Sequence, residues 1–153
     1  GMAKSEADAS LPCSGVVKGA ARQQGSCGDC WAFDTVEVLR YTYFWTNDWH
    51  DPGALSAEYL VDCDNTNGGC NGGMPHRAMQ YIHDSGGLPS VQQYGPNTAD
   101  RTGTYQDCKK DTPKAMQLTG PTDYYRSESE MAADFCERGA LSVTIDAHAL
   151  HHY

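Results

Sequence analysis

Seven cysteines in 153 residues constrain this chain more than any other feature of its sequence. They stand at positions 13, 27, 30, 63, 70, 108 and 136. A zinc ribbon needs two close pairs of cysteines, and only Cys27 and Cys30 form such a pair here. The spacing therefore favours a disulfide framework with at least one unpaired thiol over a metal site, and disulfides indicate an oxidising compartment.

The negative charge of the chain disfavours nucleic acid as a binding partner. Eleven Lys and Arg residues against 20 Asp and Glu residues give a net charge of −9, without any basic run. Binding to nucleic acid phosphates depends on clustered basic residues, so we expect no nucleic acid partner. No apolar run approaches the roughly 18 residues of a membrane span, so we expect no membrane contact. The sequence also predicts no cofactor and no metal.

The hydrophobic pattern predicts an α+β fold in which helices come first and β structure comes near the end. We expect Asp29 to cap a first helix that carries two apolar stripes, a pattern typical of burial between two layers. Residues 88–122 show no strong periodicity and are predicted to form a long loop. The pattern predicts helices at about 30–45, 56–63, 75–84 and 128–138, and a half-buried strand at 141–147.

Residues 24–33, with the sequence QGSCGDCWAF, carry the chemistry that is most readily interpreted. Cys30 falls in the first turn of the predicted helix, where the helix dipole and free N–H groups favour a thiolate. The preceding glycines allow a ligand to approach the backbone closely. The amide of Gln24, six residues upstream of the thiol, could donate a hydrogen bond to a developing oxyanion.

This run resembles the active-site signature of the papain family of cysteine proteases. Residues 55–63 and 69–75, with the sequences LSAEYLVDC and GCNGGMP, are also similar to the papain and cathepsin L pattern. The resemblance implies a helical left domain with disulfides, followed by only the beginning of a β-rich right domain. We expect residues 1–14 to be a linker or the end of a pro-region, 15–122 to form the helical domain, and 123–153 to begin the β domain.

The resemblance also implies roles for individual residues. Cys30 is the nucleophile, and Gln24 and the Cys30 backbone N–H form the oxyanion hole. Disulfides join Cys27 to Cys70 and Cys63 to Cys108. The implied substrate-binding residues are Gly28 near the S1 subsite, Gly72 and Gly73 along the substrate backbone, and Met74, Pro75 and Thr144 around the S2 pocket. Met74 and Pro75 could equally be packing residues at a helix start, and Thr144 could be a polar residue on an outer strand face.

Three features depart from the family pattern. Asp29 stands where a small residue precedes the nucleophile, and with Asp34 one turn later it is expected to oppose the thiolate. Cys13 and Cys136 have no partner in the pattern. The catalytic His and Asn lie roughly 130–150 residues beyond the nucleophile in this family, past Tyr153. We therefore expect the chain to lack both, because His148, His151 and His152 fall in what the resemblance makes a loop.

The function implied is cysteine-type endopeptidase activity in a longer protein, with little activity expected of this chain alone. Its partners would be peptide or protein substrates and an inhibitory pro-region or protein inhibitors, in a lysosomal, vacuolar or extracellular location. One alternative is an inactive papain-like scaffold that serves as a binding module. Another is a thioredoxin-like oxidoreductase using Cys27 and Cys30, although the residues before Cys27 do not form the buried strand which that motif normally follows.

Overall fold

The computed structural model describes residues 22–48, 50–120 and 127–145. Cys13, His148, His151 and His152, together with segment 1–14, lie outside the described residues. Of the helices in this part of the chain, none has the length and apolar character that a membrane span requires. The helices are α1 (Cys30–Thr46), α2 (Ala57–Cys63), α3 (Pro75–Asp84), α4 (Val91–Tyr94), α5 (Ala99–Thr102) and α6 (Glu128–Arg138).

Helix α1 is the centre of the fold and contacts α2, α3 and α6. Its bounds confirm the first predicted helix. The expected burial on two sides is only partly present: one stripe is buried as far as Leu39, whereas Val38 and Trp45 remain half-buried. Near its C-terminus the side chains of Thr46 and Asn47 donate hydrogen bonds to carbonyl groups of the last turns.

Helices α2 and α3 also form where the sequence predicts them. The Ser56 hydroxyl accepts a hydrogen bond from the Tyr59 N–H at 3.1 Å and caps α2. Pro75 opens α3, where its missing N–H removes no helical hydrogen bond. Every residue of α2 except Asp62 is buried, so this short helix lies in the core beneath α1.

The prediction of a long irregular loop at 88–122 is wrong for part of that segment, which contains α4 and α5. Ser90 and Gln93 form a capping box at the start of α4, which stabilises a single turn that shows no periodicity. Leu88 exchanges backbone hydrogen bonds with Met116, at 2.7 and 3.1 Å. Local capping and distant backbone pairing therefore order this segment.

The predicted strand at 141–147 is not formed at 141–145, and positions 146–147 lie outside the described residues. Within the described ranges, β-type pairing takes the form of isolated bridges: Gly28 with Asn71, Leu55 with Ser90, and Leu88 with Met116. A strand needs a neighbour for its hydrogen bonds, and 141–145 has none there. Its apolar residues Val143 and Ile145 are 57% and 63% exposed.

Candidate active site

Cys30 is the first residue of α1, and its thiol is free and exposed. The Asp29 carbonyl accepts hydrogen bonds from the N–H groups of Ala32, at 2.8 Å, and Phe33, at 3.2 Å. Among the described residues, no hydrogen bond uses the Cys30 N–H. The thiol and this N–H therefore lie together at the positive end of a 17-residue helix.

Gln24 is held by the loop that leads into the helix. Its Nε2 donates to the Cys27 carbonyl at 2.7 Å, which uses one of the two amide N–H groups. The loop is fixed against α5, because the Ser26 N–H donates to the Asp100 carbonyl at 2.9 Å. A side chain at Gly25, whose φ is +65°, would lie 2.0 Å from that same carbonyl oxygen. The loop therefore requires glycine at position 25.

The second motif packs directly beside the first. The Gly28 N–H donates to the Cys70 carbonyl at 2.9 Å, and a Cβ at Gly28 would lie 2.5 Å from that oxygen. The buried Trp31 indole donates to the Gly69 carbonyl at 3.0 Å. Disulfides join Cys27 to Cys70 and Cys63 to Cys108, which are the pairs that the resemblance implies. Cys27 is therefore bonded away from Cys30.

Gly72, Gly73 and Met74 form an accessible edge next to Trp31. A Cβ on Gly72 would meet nothing within 4 Å, whereas one on Gly73 would lie 2.7 Å from the Trp31 ring. No backbone hydrogen bond of Gly73 occurs among the described residues, so its polar groups can accept an added strand. Met74 is 52% exposed, and its N–H donates to Asn67 Oδ1 at 2.7 Å.

Thr144 does not join this group through any hydrogen bond in the described chain. It is exposed, two residues beyond Ser142, whose hydroxyl donates to the Asp34 carboxylate on α1. Burial raises the pKa of Asp34, and the Ser142 hydrogen bond opposes that rise. The segment after α6 is thus attached to α1 one turn beyond Cys30.

The expectation that Asp29 caps α1 through its side chain is wrong. Asp29 occupies the capping position, but it is 0% exposed and neither carboxyl oxygen makes a hydrogen bond in the described part of the chain. Burial is the main cause that raises its pKa to about 6, from an ordinary value of 3.8. Repulsion from Glu58 and Asp100 adds to the rise, whereas the Asp29 backbone N–H and the nearby Asn97 amide oppose it.

Comparison with known proteins decides the family. The sequence pattern of the family described as "Papain family cysteine protease" matches residues 6–153. The chain belongs to this papain family. Zingipain-1 of Zingiber officinale is 33% identical over 128 residues, which cover 82% of this chain and 54% of that protein. Cysteine proteinase 15A of Pisum sativum is 32% identical over 136 residues, covering 82% of this chain and 36% of that protein.

A papain-like fold is also found by structural comparison. The bromelain protease from Ananas comosus, solved with the E64 inhibitor, superimposes with a TM-score of 0.57 at 27% identity. That match covers 67% of this chain and 44% of bromelain. The helical, disulfide-bonded left domain predicted from the sequence is therefore confirmed. The chain spans only about a third to a half of the length of these papain-family relatives.

Sequence reasoning missed several residues that shape the papain-like site. The Asn67 side chain cross-links the two ends of the 64–74 loop. Its Nδ2 donates to Asp64 Oδ2 at 2.7 Å, and its Oδ1 accepts a hydrogen bond from the Met74 N–H. Asn67 stands in a run rich in Asn and Gly, which is a composition typical of turns held by Asn side chains, so the sequence could have predicted this role. The sequence near Asp29 does not predict that Glu58, Asn97 and Asp100 influence its carboxyl group, because these residues are distant in sequence.

Proposed function

We propose that this chain carries the nucleophile of a cysteine endopeptidase. The observation that carries the proposal is the exposed, unpaired Cys30 thiol at the N-terminus of α1, where the Cys30 N–H makes no hydrogen bond within the described residues. The thiolate attacks a peptide carbonyl, the amine leaves with a proton, and water releases the acyl group. A histidine that takes the thiol proton and an asparagine that orients it complete such a site in this family; we assign neither to a described residue.

The proposed roles follow the accessible groups. The Gln24 amide and the Cys30 N–H stabilise the oxyanion, Gly72 and Gly73 pair with the substrate backbone, and Gly28 lies near S1. The proposed S2 residues are Met74, Pro75 and Thr144; the exposure of Met74 and Thr144 supports this proposal.

We further propose the domain division 15–122 and 123–153, with 1–14 as a linker or the end of a pro-region. Peptides or proteins are the substrates, and a pro-region or protein inhibitors are the regulatory partners. Two disulfides support a lysosomal, vacuolar or extracellular location, because such bonds persist in oxidising compartments. The oxidoreductase alternative needs a Cys27–Cys30 bridge, and the Cys27–Cys70 bond argues against it.

The proposal is tested with E-64, the inhibitor bound in the bromelain structure. We expect the full-length protein to form one covalent E-64 adduct on Cys30 and to hydrolyse a peptide amide. Cys30→Ser should abolish both, while Cys13→Ser should leave both intact. Peptide mass spectrometry locates the adduct. A protein whose Cys30 reacts with iodoacetamide but neither takes up E-64 nor cleaves peptides would instead be the inactive binding scaffold.

The Gln24 amide provides a second test in the same protein. Removing one oxyanion donor costs about 10²-fold in kcat in enzymes of this mechanism, so Gln24→Ala should lower kcat by roughly 10²-fold. The matched control is Gln23→Ala, since Gln23 is an exposed neighbour with the same side chain. Steady-state kinetics on a peptide amide separates kcat from KM. An unchanged kcat, or an equal loss in both variants, would remove Gln24 from the oxyanion hole.

A further inference from the structure

The Asn67 side chain joins a buried carboxyl group to the accessible edge at Gly72, Gly73 and Met74. Its Nδ2 donates to Asp64 Oδ2 at 2.7 Å, and its Oδ1 accepts from the Met74 N–H, also at 2.7 Å. The same Nδ2 also donates, more weakly, to the Met74 carbonyl at 3.4 Å. Asn67 therefore ties one end of this edge to a group in the interior.

Asp64 is a fixed support for this link. It is 3% exposed, and its backbone N–H donates to the Leu60 carbonyl at 3.0 Å, directly after α2. Its other carboxyl oxygen, Oδ1, accepts from the Thr66 N–H at 2.9 Å and from the Thr66 hydroxyl at 2.6 Å. A buried carboxyl group needs such partners, and with the Asn67 amide both of its oxygens are satisfied. The group that Asn67 contacts is therefore held rigidly at the end of a core helix.

Asn67 also limits the space beside Gly73. A Cβ on Gly73 would lie 2.7 Å from Asn67 Oδ1, the same distance as from the Trp31 ring. These two side chains therefore occupy the side of Gly73 where a side chain of its own would stand. Since Trp31 follows Cys30 in α1, the contact also places this edge next to the helix that carries the thiol.

We propose that Asn67 is a positioning residue for substrate: it holds the backbone at Gly73 in place to pair with an extended peptide. This inference rests on the proposed role of Gly72 and Gly73 along the substrate backbone. An added strand gains its affinity from main-chain hydrogen bonds, which require an edge of fixed geometry. A mobile edge would have to be ordered when the peptide binds, and that ordering costs affinity. Asn67 removes this cost by holding the edge before the peptide arrives.

The effect of Asn67 should fall on substrate binding rather than on the chemical step. Its side chain acts on the edge through Met74, and within the described residues no hydrogen bond joins it to Cys30 or Gln24. Binding energy that is lost equally from the ground state and the transition state raises KM and leaves kcat unchanged. Asn67→Ala should therefore raise KM for a peptide amide, whereas Gln24→Ala lowers kcat.

The test measures peptide affinity in full-length Cys30→Ser protein, freed of any pro-region, where cleavage does not compete with binding. The probe is an acetylated, amidated hexa-alanine peptide with one phenylalanine, titrated by NMR. We expect Asn67→Ala to raise its Kd roughly tenfold, the effect of weakening one or two main-chain hydrogen bonds. Thr66→Val is the matched control, because the Thr66 hydroxyl donates to the same Asp64 carboxyl group but not to Met74. Its Kd should equal that of the parent protein.

A second peptide, N-methylated at the phenylalanine, separates a loss of edge pairing from a general disturbance of the loop. Methylation removes a main-chain N–H donor, so this peptide should bind the parent protein more weakly. Asn67→Ala should then weaken its binding less than that of the unmethylated peptide, because both changes act on the same interaction.

Equal Kd values for Asn67→Ala and Thr66→Val would overturn the inference, as would a peptide that does not bind the parent protein. If Asn67→Ala does not fold, Asn67→Asp supplies the second variant. It keeps an oxygen for the Met74 N–H but sets a carboxyl oxygen against Asp64 Oδ2, so the link to Asp64 breaks and Kd should rise; an unchanged Kd again contradicts the inference.

E-64 labelling of Cys30 is read separately in the protein that keeps its thiol. A protein whose peptide affinity depends on Asn67 but that takes up no E-64 refutes the proposed endopeptidase function alone. A protein that takes up E-64 on Cys30 but binds the peptide equally well with and without the Asn67 side chain refutes this inference alone.

Discussion

Replacing Cys63 and Cys108 together by alanine is expected to lower the free energy of unfolding by about 4 kcal/mol. The bond joins residues 45 apart, and cross-linking a loop of that length removes about this much conformational freedom from the unfolded chain at 25 °C. The folded state should change little, because the same segment has other attachments. The Gln106 N–H donates to Asp62 Oδ1 at 2.7 Å, and Lys109 Nζ donates to the Tyr94 carbonyl at 3.2 Å.

Chemical denaturation measures this loss, which corresponds to a fall in Tm of roughly 10–15 °C for a domain of this size. The Cys27→Ala, Cys70→Ala double variant is the matched control, since its loop of 43 residues predicts nearly the same cost. Dithiothreitol should remove most of the difference between the Cys63/Cys108 variant and the unmodified protein. If the double variant matches the oxidised protein in stability, the loop-closure account of this disulfide is wrong.

The helices that could be predicted from the sequence are those whose ends carry local signals. The Ser56 hydroxyl caps α2, Pro75 opens α3, and the Ser127 hydroxyl accepts from the Glu130 N–H at 3.3 Å to begin α6. Helix α4 carried an equally local signal in Ser90 and Gln93, and a search for capping boxes finds it. Chemistry encoded within a few residues is therefore accessible from a single sequence.

Features that depend on distant residues could not be predicted in this way. Aspartate is a residue type that commonly caps helices, yet the Asp29 carboxyl group is buried without hydrogen-bond partners in the described residues, and Glu58 and Asp100, both distant in sequence, repel its charge. Alternating apolar residues at 141–145 indicate a strand, but strand formation requires a partner that local sequence does not reveal. The position of Cys30 in the first turn of α1 could be predicted, because the motif that contains it is continuous in sequence.

Asp29→Asn is expected to make the protein more stable relative to the unmodified chain as the pH rises. The pKa of Asp29 is raised in the folded state, from 3.8 to about 6, so folding favours the protonated carboxyl. Well below pH 4 the group is protonated in both states, and it then has no effect on stability. Between pH 4 and 6 the unfolded chain loses the proton first, and stability falls. Above pH 6 the folded state bears the full cost of a buried charge, about 3 kcal/mol for a shift of about two pH units.

The measurement is the free energy of unfolding of both proteins at pH 4 and pH 7, by urea denaturation. The asparagine amide does not titrate, so any cost of burying it is the same at both pH values, and all other titrating groups are shared. The difference between the two proteins should therefore grow by roughly 2.5 kcal/mol in favour of Asp29→Asn from pH 4 to pH 7, since the unfolded carboxyl is already about half ionised at pH 4. Glu37→Gln is the control, because it removes a carboxyl group that is partly exposed to solvent rather than one that is fully buried. A difference for Asp29→Asn that stays constant from pH 4 to pH 7 would show that the folded protein keeps Asp29 as readily ionised as the unfolded chain does, against the burial seen in the structure.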